Sequence, residues 1–167
     1  SSSPSYVLDV AGGSQSEGAN VTLWTDRRDQ RQLFRVQWRD GYYSITALHS
    51  GQSLDVVASG CAPGTNVTQW GYWGTDNQLW SIERLSDGSY RILSKCDGLA
   101  LSSDGAARDG SNVMVTTPGA SGCLQSWSLS YVGARPGERV VEDGVYSIAC
   151  SSSPSYVLDV AGGSQSE

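Results

Sequence analysis

Asp55, Trp70, Asn77 and Gln78 are the side chains in this sequence whose types and spacing suit chemistry, and that chemistry is the holding of a sugar. A carboxylate accepts hydrogen bonds from vicinal hydroxyls, and a primary amide both donates and accepts. An indole covers the apolar C–H face of the ring. Tyr72 and Trp73 follow Trp70 closely enough to widen the aromatic surface. The competing reading makes Asp55 a turn cap and Trp70 ordinary surface. The elements that must position these groups are short strands. Leu54 and Val56 alternate with Asp55, which predicts a half-buried strand carrying the carboxylate on its outer face. Val67 and Trp70 belong to a second strand, Leu79 and Trp80 to a third, with short loops between.

This pattern recurs. Gly18-Ala19-Asn20-Val21, Gly64-Thr65-Asn66-Val67 and Gly110-Ser111-Asn112-Val113 are spaced by 46 residues. Leu8-Asp9-Val10 matches Leu54-Asp55-Val56, with Leu99-Ala100-Leu101 as a degenerate third copy. Each copy opens on Gly-x-Tyr, at Gly144, Gly41 and Gly88. Three copies of about four short strands predict an all-β, pseudo-threefold β-trefoil of twelve strands, with a three-bladed propeller as the rival architecture. Phe34, Trp80 and Trp127 occupy equivalent positions and are expected to plug the core. Residues 1–17 recur unchanged as 151–167, so one trefoil unit is expected over 1–150. Repeat one takes 144–150 plus 1–40, repeat two 41–87 and repeat three 88–132, with a charged linker over 133–143. The chain then starts inside repeat one, and 151–167 is a surplus copy that hangs free or swaps into a neighbouring molecule.

Composition excludes several classes. The net charge of −6 opposes a nucleic-acid groove, which needs a basic stripe. No apolar run approaches the ~20 residues of a membrane span, and without a signal-peptide pattern the sequence is expected to be a mature chain or an excised piece. No cysteine pair has metal-ligand spacing, and the single His49, expected in an exposed turn, has no companion, so no metal or cofactor is expected. No carboxylate pair or nucleophile–base pattern suggests an enzyme. Cys61, Cys96, Cys123 and Cys150 allow three pairings if all are bridged, and buried thiols are equally open. Asn20-Val21-Thr22 and Asn66-Val67-Thr68 match the N-glycosylation pattern, but at equivalent repeat positions they are expected to serve the fold.

Three closures, Gln32-Leu33-Phe34, Gln78-Leu79-Trp80 and Gln125-Ser126-Trp127, together with two L-D-V…G-x-N-V…W runs, resemble the ricin-type (R-type) lectin and carbohydrate-binding trefoils with Q-x-W repeats. The resemblance implies a shallow sugar site in each repeat. Repeat two supplies Asp55, Trp70, Asn77 and Gln78, widened by Tyr72. Repeat one supplies Asp9, Trp24 and Gln32, with Arg31 where repeat two has Asn77. Arg31 together with Arg27 and Arg28 suits either an acidic sugar or a solvated basic turn. Repeat three, with Ala100, Thr116 and Leu124 at the corresponding places, is expected to bind nothing. The family's disulfide within a repeat is absent. The implied function is non-catalytic, multivalent binding of glycans: galactose-type or other neutral sugars, or bacterial or host polysaccharide. The alternative is a protein-binding or assembly trefoil. The Leu-Asp-Val-Ala-Gly-Gly-Ser wording is similar to modules of secreted bacterial cell-wall hydrolases and surface proteins, implying a secreted or cell-surface, bacterial setting.

Overall fold

The computed structural model describes residues 5–96, 98–132, 141 and 143–150. In chain order the strands are β1 (Tyr6–Val10), β2 (Val21–Thr25), β3 (Leu33–Arg39), β4 (Tyr42–Ala47), β5 (Ser53–Val56), β6 (Thr65–Trp70) and β7 (Trp80–Arg84). They continue as β8 (Tyr90–Ser94), β9 (Ala100–Asp104), β10 (Val113–Thr116), β11 (Cys123–Leu124), β12 (Trp127–Val132) and β13 (Gly144–Cys150). Strands β3, β4, β7, β8, β12 and β13 pair antiparallel in a ring that returns to its start, giving a closed barrel. The hairpins β1–β2, β5–β6 and β9–β10 each attach to that barrel through one outer strand. This is a β-trefoil of three repeats, each with two barrel strands and one hairpin. A closed barrel leaves no edge for stray pairing.

The alternation in the sequence fills the middle. Phe34, Trp80 and Trp127 are fully buried, as are Leu8, Leu54 and Leu101 beneath the hairpins. The indole N–H of Trp127 donates to the Leu101 carbonyl at 3.0 Å, whereas that of Trp80 meets no acceptor among the described residues. On the threefold axis Asn20, Asn66 and Asn112 close a ring in which each amide donates to the next. Asn20 Nδ2 reaches Asn112 Oδ1 at 2.9 Å, Asn112 reaches Asn66 at 2.8 Å, and Asn66 reaches Asn20 at 2.8 Å. Both asparagines of the glycosylation-like tripeptides are therefore engaged in tying the repeats together.

Several expectations need correction. Among the described residues the strands number thirteen rather than twelve, because Cys123–Leu124 pairs with Asp104 and Ser103 where the other repeats make a 3-10 turn. Leu79 precedes β7, and Asn77 and Gln78 lie in the 3-10 turn Asp76–Gln78. His49 is half-buried, its Nε2 bonded to the Ser14 carbonyl at 2.8 Å. Within the expected linker, Val141 is buried and its N–H donates to the Tyr43 hydroxyl, while Asp143 accepts from the Trp38 N–H. The remainder of that segment, the surplus copy 151–167 and the pairing of Cys123 lie outside the described residues and side chains. Cys61 is bridged to Cys96, joining repeat two to repeat three, and Cys150 is buried.

Candidate functional site

In repeat two the hairpin β5–β6 sets Asp55 opposite Thr68, while Leu54 and Val56 face the core. The carboxylate thus sits on the non-core face, as the alternation predicts, but it is not exposed. The 3-10 turn Asp76–Gln78 folds over it, leaving Asp55 and Asn77 7% accessible and Gln78 1%. Gln78 Nε2 donates to Asp55 Oδ2 at 2.9 Å and to the Gly71 carbonyl at 2.8 Å, and its Oε1 accepts from the Trp73 N–H at 2.7 Å. One amide therefore aims the carboxylate and pins the aromatic loop. Asn77 Nδ2 donates to the Val56 carbonyl at 3.0 Å, and its Oδ1 accepts from the Thr75 hydroxyl at 2.6 Å. Burial raises the Asp55 carboxyl above its ordinary value, opposed by hydrogen bonds from Gln78 and then Asn77.

These groups floor a cavity of about 570 Å³. Its rim carries Trp70, 38% exposed, and Trp73, 76% exposed. Gly18 of repeat one supports Trp70: a Cβ there would stand 3.5 Å from the indole Cζ3. Repeat one repeats the device, with Gly110 beneath Trp24 at 3.9 Å. A Cβ on Gly64, whose counterpart indole is replaced by Thr116, would meet nothing within 4 Å among the described residues. Tyr72 does not line the cavity; the Arg39 guanidinium lies over its ring at 4.9 Å. The opposite wall, Val57–Ser59, went unrecognised in the sequence. It forms a turn with Ala58 at φ 53° and Ser59 at φ 56°, for which no glycine gave notice.

Repeat one holds the same frame in altered form. Gln32 Nε2 donates to Asp9 Oδ2 at 2.8 Å and to the Thr25 carbonyl at 2.9 Å. Arg31 Nε stands 3.7 Å from both Asp9 Oδ2 and Asp29 Oδ2, so its charge is largely directed at the protein's own carboxylates. Burial raises the Asp9 carboxyl, with Gln32 and Arg31 acting against it. Asp9, Gly12, Trp24, Arg27 and Arg31 enclose only about 180 Å³. Arg28 lies elsewhere, in a cleft with Ser130 and Ser147.

Repeat three has neither carboxylate nor indole at the equivalent positions. Register sets Ser102 opposite Met114 where Asp55 faces Thr68, so the counterpart of Asp55 is Ser102 rather than Ala100. Ser102 lies 47 residues after Asp55 and Ala100 only 45, so matching Leu99-Ala100-Leu101 to Leu54-Asp55-Val56 sets the equivalence two residues short of the hairpin register. Thr116 and Leu124 stand where expected. Ser102, Thr116 and Gln125 instead bond to one another. Among the described residues no group of His, Cys, Asp and Glu is arranged to hold a metal.

Known proteins share this fold. A 53-residue stretch is 38% identical to the clotting factor G alpha subunit of Tachypleus tridentatus, covering 32% of this chain and only 8% of that subunit. The designed threefold-symmetric protein ThreeFoil superposes with a TM-score of 0.66 and 32% identity, over 86% of this chain and 90% of its own. An exo-beta-1,3-galactanase from Clostridium thermocellum superposes with a TM-score of 0.65 and 25% identity, over 75% of this chain and 30% of its own. Residues 30–116 match the ricin-type beta-trefoil lectin domain-like family, and the chain belongs to it.

Proposed function

We propose that this domain binds glycans without transforming them, principally at the repeat-two site. Membership of a lectin-like family supports carbohydrate binding in general. The observation that carries the finer reading is a buried carboxylate, Asp55, oriented by Gln78 below two exposed indoles. Asp55 accepts from two adjacent sugar hydroxyls in charge-assisted bonds, while Trp70 stacks on the C–H face and Trp73 extends the contact. Gln78 acts through Asp55, and Asn77 holds the turn while facing the same carboxylate. Repeat one is an altered, smaller site, and repeat three does not bind. Galactose-type sugars lead the candidates, in keeping with the likeness to a galactanase. A site this open gives a Kd on the order of 0.1–1 mM alone, raised ~10²–10⁴-fold on a multivalent glycan. The bridged Cys61–Cys96 pair fits an extracellular protein.

A glycan array on the purified domain tests this. Trp70→Ala in a Trp24→Ala background should abolish the signal with the fold intact; unchanged affinity in that variant defeats the assignment.

A second reading rests on the repeated ends. β1 occupies a slot beside β13, in register Val7 with Ala149, and residues 151–167 carry the same sequence as 1–17. Two identical segments compete for one slot, so the displaced one is available to a neighbouring molecule and the domain self-associates by strand exchange. Light scattering that finds a strict monomer at every concentration, with 151–167 protease-resistant, refutes it.

A further inference from the structure

The wall of the repeat-two cavity is built differently from its counterpart in repeat one. In repeat one the turn Ala11–Gly13 places Gly12 and Gly13 at φ 65°, a conformation glycine adopts freely. In repeat two the turn Val57–Ser59 has the same shape, closed by the same hydrogen bond from the residue after it. Ser14 N donates to the Ala11 carbonyl at 3.3 Å, and Gly60 N to the Val57 carbonyl at 2.9 Å. Yet Ala58 and Ser59 carry side chains at φ 53° and 56°, where L residues are disfavoured. Such a conformation persists only where surrounding structure over-determines it. The surrounding structure here is covalent. Two residues beyond Ser59, Cys61 is bridged to Cys96 in the turn after β8, and both sulfurs lie against the Ser59 carbonyl oxygen, at 3.4 and 3.8 Å. Repeat one has no cysteine near Gly12 and needs none. The clamped turn contributes Val57, Ala58 and Ser59 to the larger cavity.

We infer that the Cys61–Cys96 disulfide is a positioning element of the repeat-two site: it holds the left-handed Val57–Ser59 wall in place, so that ligand binding there depends on the oxidised protein while binding at repeat one does not. The inference rests on the glycan-binding reading for its ligand and on the turn geometry for its mechanism. Cys61 is exposed and Cys96 half-buried, so a small dithiol reaches the bond. Dithiothreitol supplies two electrons and two protons; the S–S bond becomes two thiols and the reagent closes to its cyclic disulfide.

The experiment uses the full chain, oxidised and dithiothreitol-reduced, titrated with lactose while the indole N–H resonances of Trp70 and Trp24 are followed by NMR. Reduction should weaken the Trp70 response by about tenfold, as release of a two-residue left-handed turn implies, and leave the Trp24 response unchanged. The Ala58→Gly/Ser59→Gly variant with both cysteines retained should bind equally well in either redox state, because glycine needs no clamp. General loosening would instead weaken that variant on reduction too, and that result overturns the inference. An unchanged Trp70 titration on reducing the native sequence also overturns it. If the oxidised protein fails to bind lactose, the glycan reading is at fault for that sugar, and amide exchange decides the mechanism. Exchange of the Gly60 N–H should accelerate at least tenfold on reduction in the native sequence but not in the double-glycine variant; equal rates in the native sequence refute the clamp.

Discussion

Replacing Asn66 with alanine removes two of the three hydrogen bonds on the threefold axis, since Asn66 donates to Asn20 and accepts from Asn112. A hydrogen bond of this kind contributes ~1 kcal/mol net, so the single variant should lose about 2 kcal/mol. For a domain of this size that corresponds to roughly 4–8 °C in Tm. The ring makes a sharper prediction than the magnitude. Any second substitution, at Asn20 or Asn112, removes only the one bond that remains, and a third removes none. Destabilisation should therefore run about 2, 3 and 3 kcal/mol for one, two and three alanines, a non-additivity that follows from closure. Urea unfolding of the three variants measures it. Losses that add in equal steps, or a single-variant loss below about 0.5 kcal/mol, would refute the ring as a cooperative tie between repeats. The same geometry predicts that Asn20 and Asn66 stay unglycosylated once folded, which intact-mass measurement after eukaryotic secretion would check.

Further expectations concern the core and the carboxylates. Trp127→Phe should cost ~1–3 kcal/mol more than Trp80→Phe, because only Trp127 satisfies a buried carbonyl, that of Leu101, and Phe34 already fills the corresponding place in repeat one; equal losses in urea unfolding would contradict this. Asp9 and Asp55 have folded-state carboxyls raised mainly by burial, so the folded chain binds protons before the unfolded one as pH falls. These two groups therefore favour folding increasingly as pH drops through their raised values toward the ordinary 3.8, and oppose it above. Glycan affinity should fall over the same window, as the acceptor carboxylate is neutralised; a flat affinity profile there would remove Asp55 from the binding role.

The repeat was legible in the sequence because core and axis residues are fixed by position: Phe34, Trp80 and Trp127 must reach one interior, and Asn20, Asn66 and Asn112 must meet on one axis. The candidate site's residue types are read from the sequence, but its depth is not. Alternation places Asp55 on the non-core face, yet whether that face meets water depends on the turn that covers it, and a 3-10 turn of three residues has no periodicity to read. Tyr72 and Trp73 are neighbours in a loop, and only packing against Arg39 decides that Tyr72 leaves the cavity while Trp73 lines it. The Cys61–Cys96 bridge spans two repeats, a juxtaposition that spacing within one repeat cannot express. The offset error at Ala100 has the same origin: hairpin register, not residue count, defines equivalence.

The three repeats together separate what the fold needs from what the site needs. In every copy the closing glutamine clamps its loop: Gln32 to the Thr25 carbonyl and Arg27 N–H, Gln78 to Gly71 and Trp73, Gln125 to Thr117 and Gly119. The clamp is present in repeat three, where Ser102 rather than a carboxylate receives the other amide contact at 3.3 Å. A buried carboxylate raised by burial is, at neutral pH, a cost to folding that a hydroxyl does not impose. Asp55→Ser should therefore leave unfolding free energy within about 1 kcal/mol of the native value, or slightly above it, because the Gln78 clamp persists and a neutral hydroxyl replaces a charged acceptor whose burial opposes folding. The same variant should lose glycan binding at repeat two. Chemical denaturation alongside a titration with immobilised galactosides separates the two effects. A loss of more than about 2 kcal/mol in stability would make Asp55 a structural residue, and its burial would then no longer argue for a ligand.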